Sequence, residues 1–237
     1  MEKVMVALRA DPADADDAWV ARLCGPVAAG LLDLELHGLT VNVRDAPVRD
    51  SIMTLTTLDP PVQAVVSLWV DQHYGEQVRH AVAMLGDEAT TLSSYLVTES
   101  VPVSPPTSEP GQRGPGLANI ALLRRPAEMD EPTWLTRWQR DHTPVAIATQ
   151  STFGYVQNYV VRALTADAPR ISAIVEELFP IESVHSLHAF FGAADDAELS
   201  DRLAKMVAST AAFGANVDID TVPTGRYVFA TPFGDHG

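Results

Sequence analysis

Residues 130–146, DEPTWLTRWQRDHTPVA, contain the motif that decides the fold class, because part of it occurs twice in the chain. Its last four residues, Thr143-Pro144-Val145-Ala146, match Gly25-Pro26-Val27-Ala28 in the first half. In both places an acidic segment precedes the expected helix, and acidic side chains suit the exposed amides at a helix start. We therefore predict the same first helix in both halves of the chain.

Segments typical of strands and helices surround this motif in the same order in each half. That order is β-α-β-β-α-β, a ferredoxin-like unit with four antiparallel strands and both helices on one face of the sheet. The other sheet face is apolar and uncovered, so two units can bury these faces together. We predict an α+β fold of two tandem ferredoxin-like units, packed sheet to sheet as one pseudo-dimeric α+β barrel within the chain. The predicted strands are 4–8, 38–42, 62–71, 92–98, 119–123, 154–158, 170–179 and 218–229, and the predicted second helices are 75–85 and 195–213.

A stretch rich in proline, glycine and serine, residues 102–116, separates the two halves. Proline removes a backbone donor and glycine raises the entropic cost of ordering, so this composition is typical of a linker. The sequence thus predicts one unit at residues 1–101 and a second at 117–237. Each has about the usual size of a small domain.

The composition is that of a globular protein with an acidic surface. Of the 237 residues 46% are hydrophobic, and 31 acidic residues against 16 basic ones give a formal net charge of -15. Such a charge repels phosphate backbones and anionic lipids, so we expect neither nucleic acid nor a membrane as partner. The single cysteine, Cys24, excludes an intrachain disulfide, and no export signal is found. We predict a cytoplasmic protein, and further homo-oligomerisation stays open.

Four segments of the second half together resemble the EthD-like branch of the dimeric α+β barrel superfamily. They are 122–126 (LLRRP), 138–145 (WQRDHTPV), 155–158 (YVQN) and 176–179 (EELF). The resemblance implies a pocket between sheet and helices, with the first-helix histidine pointing into it. Because related barrels carry out several unrelated reactions, the resemblance does not choose one.

The first half resembles a diverged copy of the second. Cys24 stands where the second half has His142, and Leu39 stands in the place of the strand tyrosine. We therefore expect the working pocket in the second half. A departure there is Leu178, at a position where the family often has tryptophan.

Trp134, Trp138 and His142 lie four residues apart on the predicted helix, so they share one face. An amphipathic helix turns such a face toward the sheet. An imidazole titrates near neutral pH, so His142 is the candidate proton-transfer residue, with the two tryptophans as walls of the binding pocket. The alternative is a structural histidine whose ring nitrogens are hydrogen-bonded in the core.

Tyr155 is the second candidate catalytic residue, since its hydroxyl can donate to a substrate carbonyl or enolate. Asn158 comes three residues later and points to the opposite face of a regular strand. We include Asn158 as a binding candidate. It recurs as Asn42 in the first half, which favours an architectural function across the interface between the sheets.

Two further binding candidates come from the last matching segment. Glu176 occupies the position that matches the family, and Phe179 is expected to form part of the apolar wall of the pocket. Glu176 and Glu177 face opposite ways on a strand, and a buried carboxylate needs a partner. A salt bridge between Glu176 and Arg140, or another basic residue, is the alternative interpretation.

The chain has no phosphate-binding loop, dinucleotide fingerprint or zinc motif, so we predict no cofactor and no metal. His185 and His188 are three residues apart, but two surface histidines explain them as well as a metal pair. Arg124-Arg125 resembles an anion-binding pair and equally a solvated strand end. Haem stays open only through analogy with related barrels.

The resulting functional hypothesis is a cofactor-independent enzyme that acts by proton transfer on a small apolar metabolite bearing a carbonyl or phenol. Cyclase, isomerase, decarboxylase and oxygenase chemistry all stay open. A non-catalytic ligand-binding or oxygenase-accessory protein is the alternative, and a haem-binding protein is the third possibility.

Overall fold

The computed structural model describes residues 1–232, which form a closed barrel of eight antiparallel strands. The strands are β1 Glu2–Arg9, β2 Gly38–Val43, β3 Val62–Val70, β4 Thr91–Val103, β5 Leu117–Leu123, β6 Gly154–Ala163, β7 Ala173–Phe179 and β8 Asp220–Ala230. Around the barrel they follow the order β1-β3-β2-β8-β5-β7-β6-β4, and β4 pairs with β1 to close it. The predicted strands are therefore all present, with bounds that differ by a few residues.

Short helices connect the strands. They are α1 Asp17–Arg22, α2 Ala28–Leu32, α3 Glu76–Gly86, α4 Glu131–Leu135, α5 Thr143–Thr149, α6 Leu187–Phe191 and α7 Asp196–Phe213. Asp16 and Asp130 cap α1 and α4 by accepting hydrogen bonds from the amides of Trp19 (2.8 Å) and Thr133 (2.9 Å). The acidic helix starts are thus confirmed. None of the helices within residues 1–232 combines the length and hydropathy that a membrane crossing requires.

Both halves have the same strand order, β4-β1-β3-β2 in the first and β8-β5-β7-β6 in the second. Antiparallel pairing of β2 with β8 and of β4 with β6 joins the two halves. The predicted barrel is thus confirmed in its coarse form, as a closed antiparallel barrel in a mixed α/β protein. Among residues 1–232 closure leaves no edge of the eight strands unpaired, because the two sheets are hydrogen-bonded along both edges and not merely stacked.

Alternation along each strand separates the barrel interior from the surfaces that the helices cover. Met5, Val65 and Ile120 belong to a buried cluster of interior residues, whereas Val4 and Val66 pack in a separate cluster with the first-half helices. The second-half helices have their own cluster, centred on tryptophan side chains. Two helix–sheet interfaces therefore flank one barrel core, and the candidate site lies in the second of them.

The first helix of each half is not a regular α-helix, which corrects the prediction. A π-helical segment, Leu23–Val27, links α1 to α2, and another, Thr136–His142, links α4 to α5. Pro26 lies within the first segment and Pro144 follows the second. Proline has no amide to give to an α-helical hydrogen bond, so the repeated motif favours a locally widened turn at this point.

The segment predicted as a linker is partly ordered by specific contacts. Strand β4 continues to Val103. Arg113 is hydrogen-bonded to Asp45, whose carboxylate accepts from Arg113 Nε at 2.6 Å. Tyr227 donates its hydroxyl to the same carboxylate at 2.8 Å. The connection between the halves is therefore bonded to β8 and to the end of β2.

Candidate functional site

Two fully buried tryptophans form the centre of the second helix–sheet interface. The ring centroids of Trp134 and Trp138 are 5.0 Å apart, and Phe213 of α7 lies 6.4 Å from Trp134. Neither indole nitrogen has a hydrogen-bond partner among the described residues. Buried donors of this kind normally have a partner, so this aromatic cluster retains unused hydrogen-bonding capacity.

A row of polar side chains crosses the sheet on the helix side. Tyr155 of β6 pairs with Glu177 of β7, and Glu177 pairs with Asn119 of β5. All three residues are at most 9% exposed. Directly paired residues on neighbouring strands point to the same face, so these side chains lie side by side. We call Tyr155, Glu177 and Asn119 the polar row.

Glu177 is the most perturbed carboxyl group of this interface. Burial raises its pKa from the ordinary 4.5 to about 7, and the neighbouring Asn119 side chain lowers the pKa by a smaller amount. Within residues 1–232 it forms no salt bridge, in contrast to Glu176, which pairs with Arg226. A carboxyl group with a pKa near 7 exchanges its proton readily at neutral pH, as a general acid or base must.

The Tyr155 hydroxyl lies in a dense polar environment. Burial, and then the charge of Glu177, raise the pKa of Tyr155 well above its ordinary value, so the phenol stays protonated. Nearby, Gln157 Nε2 donates to the Thr143 hydroxyl at 2.7 Å, and that hydroxyl donates to the Trp138 carbonyl at 3.2 Å. These bonds connect strand β6 to the end of the π-helical segment, which holds the helix over the polar row.

His142 is buried, but its ring contacts α7. Its Nδ1 hydrogen-bonds with the Ser209 hydroxyl at 2.9 Å, and its ring centroid lies 4.8 Å from that of Phe213. Burial lowers its pKa from 6.5 to about 4, so the imidazole is neutral at pH 7. The side chain is 7% exposed. The ring is thus largely enclosed, and Ser209 occupies the hydrogen-bonding position of Nδ1.

Two of the predicted binding residues point into the barrel. Glu176 accepts from Arg226 Nε at 2.9 Å, so it has a basic partner, but one other than Arg140. Asn158 is fully buried and donates to the Ile174 carbonyl on β7 at 3.0 Å. Alternation along β6 and β7 therefore places both on the opposite side of the sheet from Tyr155 and Glu177.

Phe179 belongs to a separate cluster. Its ring stacks on Phe190 with centroids 4.0 Å apart, next to Phe191 and Val184. That cluster is distinct from the one that contains Trp134 and Trp138. Phe179 is thus a buried apolar residue, but it lies in the cluster around Phe190 and not beside the two tryptophans.

Among the residues that the structure describes, His185 and His188, the possible metal pair, do not share a common partner. His188 Nε2 hydrogen-bonds with Asp196 at 3.0 Å on an exposed surface, and within residues 1–232 no hydrogen bond joins it to His185. Within residues 1–232, no three histidine, cysteine, aspartate or glutamate side chains come close enough to hold a metal ion.

Sequence reasoning chose Glu176 over Glu177, with the facing of the two left open, and missed Asn119 as a site residue. Strand β7 is buried along its whole length, so its hydropathy does not distinguish the two faces. Asn119 carried a usable signal, because it is the single polar residue of the apolar segment LANIALL. A buried polar group in such a strand requires a partner on the covered face.

The fold is similar to that of solved proteins of low sequence identity. A protein described as anthrone oxidase-like superposes with a TM-score of 0.52 and 10% identity, over 98% of this chain and 95% of that one. A candidate monooxygenase from Lactobacillus acidophilus NCFM gives a TM-score of 0.49 and 8% identity, over 97% of this chain and 98% of that one. No protein-family model and no curated protein sequence matches the chain, so the EthD-like resemblance is not confirmed.

Proposed function

We propose that this chain is a small-molecule enzyme that works by proton transfer at the helix–sheet interface of its second half. The substrate is an apolar metabolite with a carbonyl or phenol, and the reaction is of the oxygenase type. The observation that carries the proposal is Glu177, a buried carboxyl group with a pKa of about 7 beside a protonated phenol. Such a pairing of an acid–base group with a neutral donor suits formation of an enolate.

Each group of the interface has a distinct part in this chemistry. The carboxylate of Glu177 accepts a proton from a carbon whose carbanion is conjugated with the carbonyl. The Tyr155 hydroxyl donates to the carbonyl oxygen as negative charge develops there. Trp134 and Trp138 exclude water and supply the apolar wall of the site.

His142 is the second proton-transfer candidate. Burial keeps its imidazole in the neutral form, which can accept a proton. Its bond to Ser209 directs one ring nitrogen toward α7 and away from a substrate held over the polar row. We therefore assign the first proton transfer to Glu177, and separate variants test the two residues.

Anthrone is a suitable probe because it has an acidic methylene group opposite a ring carbonyl, and because a protein described as anthrone oxidase-like shares the fold. Removal of a methylene proton gives a carbanion whose electrons reduce dioxygen. One oxygen atom becomes the new carbonyl of anthraquinone and the other leaves as water with the two methylene hydrogens. The electrons come from the substrate, so the chemistry balances with dioxygen alone.

The test is oxygen consumption and anthraquinone formation with anthrone in air-saturated buffer, corrected for the uncatalysed reaction. We expect Glu177→Gln to lower the catalysed rate by about 100-fold, the usual contribution of a general base, and Tyr155→Phe to lower it less. Glu182→Gln, which changes an exposed glutamate, is the matched control.

A native rate in folded Glu177→Gln would refute Glu177 as the base, and a native rate in folded His142→Ala would remove His142 from the mechanism. Saturable binding of anthrone with no turnover above the uncatalysed rate would instead favour the ligand-binding or accessory protein.

We also infer that the two halves descend from one duplicated unit related to the EthD-like proteins. The shared strand order and the π-helical segments at both copies of the motif support this. The second half carries the site because Cys24 and Leu39 replace His142 and Tyr155 in the first.

A further inference from the structure

A cavity of about 230 Å³ lies beside the aromatic cluster, between strand β6, the start of α4 and the segment before β7. Its wall includes three aromatic side chains, Tyr95, Trp134 and Tyr159. The cavity is somewhat smaller than the sites that hold drug-sized ligands, which are roughly 300–1,000 Å³. A ligand with a single ring and one or two substituents fits this volume.

Three arginines, Arg125, Arg162 and Arg170, also line the cavity. Arg125 donates to the carbonyl of Met129, and Arg162 donates to a ring nitrogen of His73. Within residues 1–232 none of the three is in a salt bridge. Arg125 and Arg162 are thus held at the cavity by neutral acceptors and not by an ion pair.

The one carboxylate on the cavity wall is already engaged. Glu131 accepts a hydrogen bond from the Tyr159 hydroxyl. Burial and then that bond raise the pKa of Tyr159 to about 12, so the phenol remains a donor to Glu131 at neutral pH. In a chain with a net charge of -15, three arginines against one occupied carboxylate are a local reversal of charge.

We propose that this cavity binds a small aromatic carboxylate. Arginine presents paired donors that match the two oxygens of a carboxylate, and its planar group also stacks on aromatic rings. The carboxylate lies against Arg162 and Arg170, with Arg125 behind, and the ring packs on Tyr159, which is partly exposed at the cavity. This site does not depend on the proposed proton transfer, because it uses neither Glu177 nor Tyr155.

The test is calorimetric titration of the full chain with salicylate and with salicylamide, which has the same phenol ring but no negative charge. We expect salicylate to bind with one site per chain and salicylamide to bind at least tenfold more weakly, since the amide cannot replace a charged partner of arginine. Raising the salt concentration should weaken salicylate alone.

Arg170→Ala is the informative variant, because the Arg170 side chain is exposed and makes no hydrogen bond or salt bridge within the described residues, so the fold should survive its loss. We expect it to weaken salicylate about fivefold, as for a partly exposed charge pair. Arg140→Ala is the matched control, since it removes an equally exposed arginine that is not on the cavity wall. Equal affinities for salicylate and salicylamide, no salicylate binding, or equal effects of the two variants would each overturn the proposal.

Discussion

Replacing Glu177 by glutamine should make the protein more stable in mild alkali and leave its stability nearly unchanged in mild acid. The folded-state pKa of Glu177 is about 7, raised from 4.5 by burial. The folded protein therefore holds this proton more tightly than the unfolded chain. The resulting stabilisation is fully present below about pH 4.5 and is lost as pH rises through about 7.

The size of the effect follows from the same values. A tenfold difference in proton binding is worth about 1.4 kcal/mol, so the shift corresponds to about 3 kcal/mol in the free energy of unfolding. Glutamine carries no charge at any pH and has nearly the same shape. We therefore expect the variant to gain about 3 kcal/mol over the native protein between about pH 5 and pH 8.5.

Urea unfolding followed by tryptophan fluorescence measures this difference, because Trp134 and Trp138 are buried next to the polar row. Two further variants are controls. Glu182→Gln removes an exposed carboxylate and should show little dependence on pH. Glu176→Gln leaves Arg226 without its partner inside the barrel and should cost about 3 kcal/mol at neutral pH, opposite in sign to Glu177→Gln.

A constant difference between native protein and Glu177→Gln across this range would refute the argument. It would mean that Glu177 is ionised and well solvated in the folded state at all these pH values. The proposed general base would then lose its physical basis as well, because a carboxylate with an ordinary pKa is a weaker base.

Three other outcomes are expected. Burial lowers the pKa of His142 to about 4, so the stability that the neutral imidazole contributes is lost as pH falls from about 6.5 toward 4. His142→Asn should therefore abolish this part of the acid destabilisation, measured by urea unfolding at several pH values. Asp45→Asn should lower the free energy of unfolding by about 2 kcal/mol, measured by urea denaturation, because Arg113 and Tyr227 lose a charged acceptor. Added hemin should give no Soret shift that His142→Ala removes, since His142 is buried and its ring packs against Phe213; a shift abolished by that substitution would contradict this packing.

Much of the fold was predictable because its signals are local. Apolar segments indicated the strands, acidic caps indicated the helix starts, and the order of elements in both halves indicated the closed antiparallel barrel. The π-helical segments were not predicted, since a pattern of residues four apart fits a slightly widened turn almost as well as an α-helix. The contacts of Arg113 were also missed, because a composition rich in glycine and proline reports chain stiffness and not the partners of a single side chain.

The candidate site was predictable only in part. Trp134, Trp138, His142 and Tyr155 were identified from their spacing and from the family resemblance, and all are buried in the second helix–sheet interface or at its edge. The choice of Glu176 placed a carboxylate on the barrel side, where it pairs with Arg226. Choosing between two adjacent glutamates requires the strand register, which is a tertiary property.

By itself the sequence determined the class of the fold, the repeated order of elements and the aromatic face of the second-half helix, because each depends on periodicity along the chain. Tertiary structure decided which polar groups meet. Glu177 lies beside Tyr155 and Asn119 only through the pairing of β7 with β6 and β5, and Arg125 approaches Arg162 and Arg170 only because distant segments line one cavity. Burial and charge at these places are set by neighbours far apart in sequence, so the direction of their pKa shifts follows from the closed barrel.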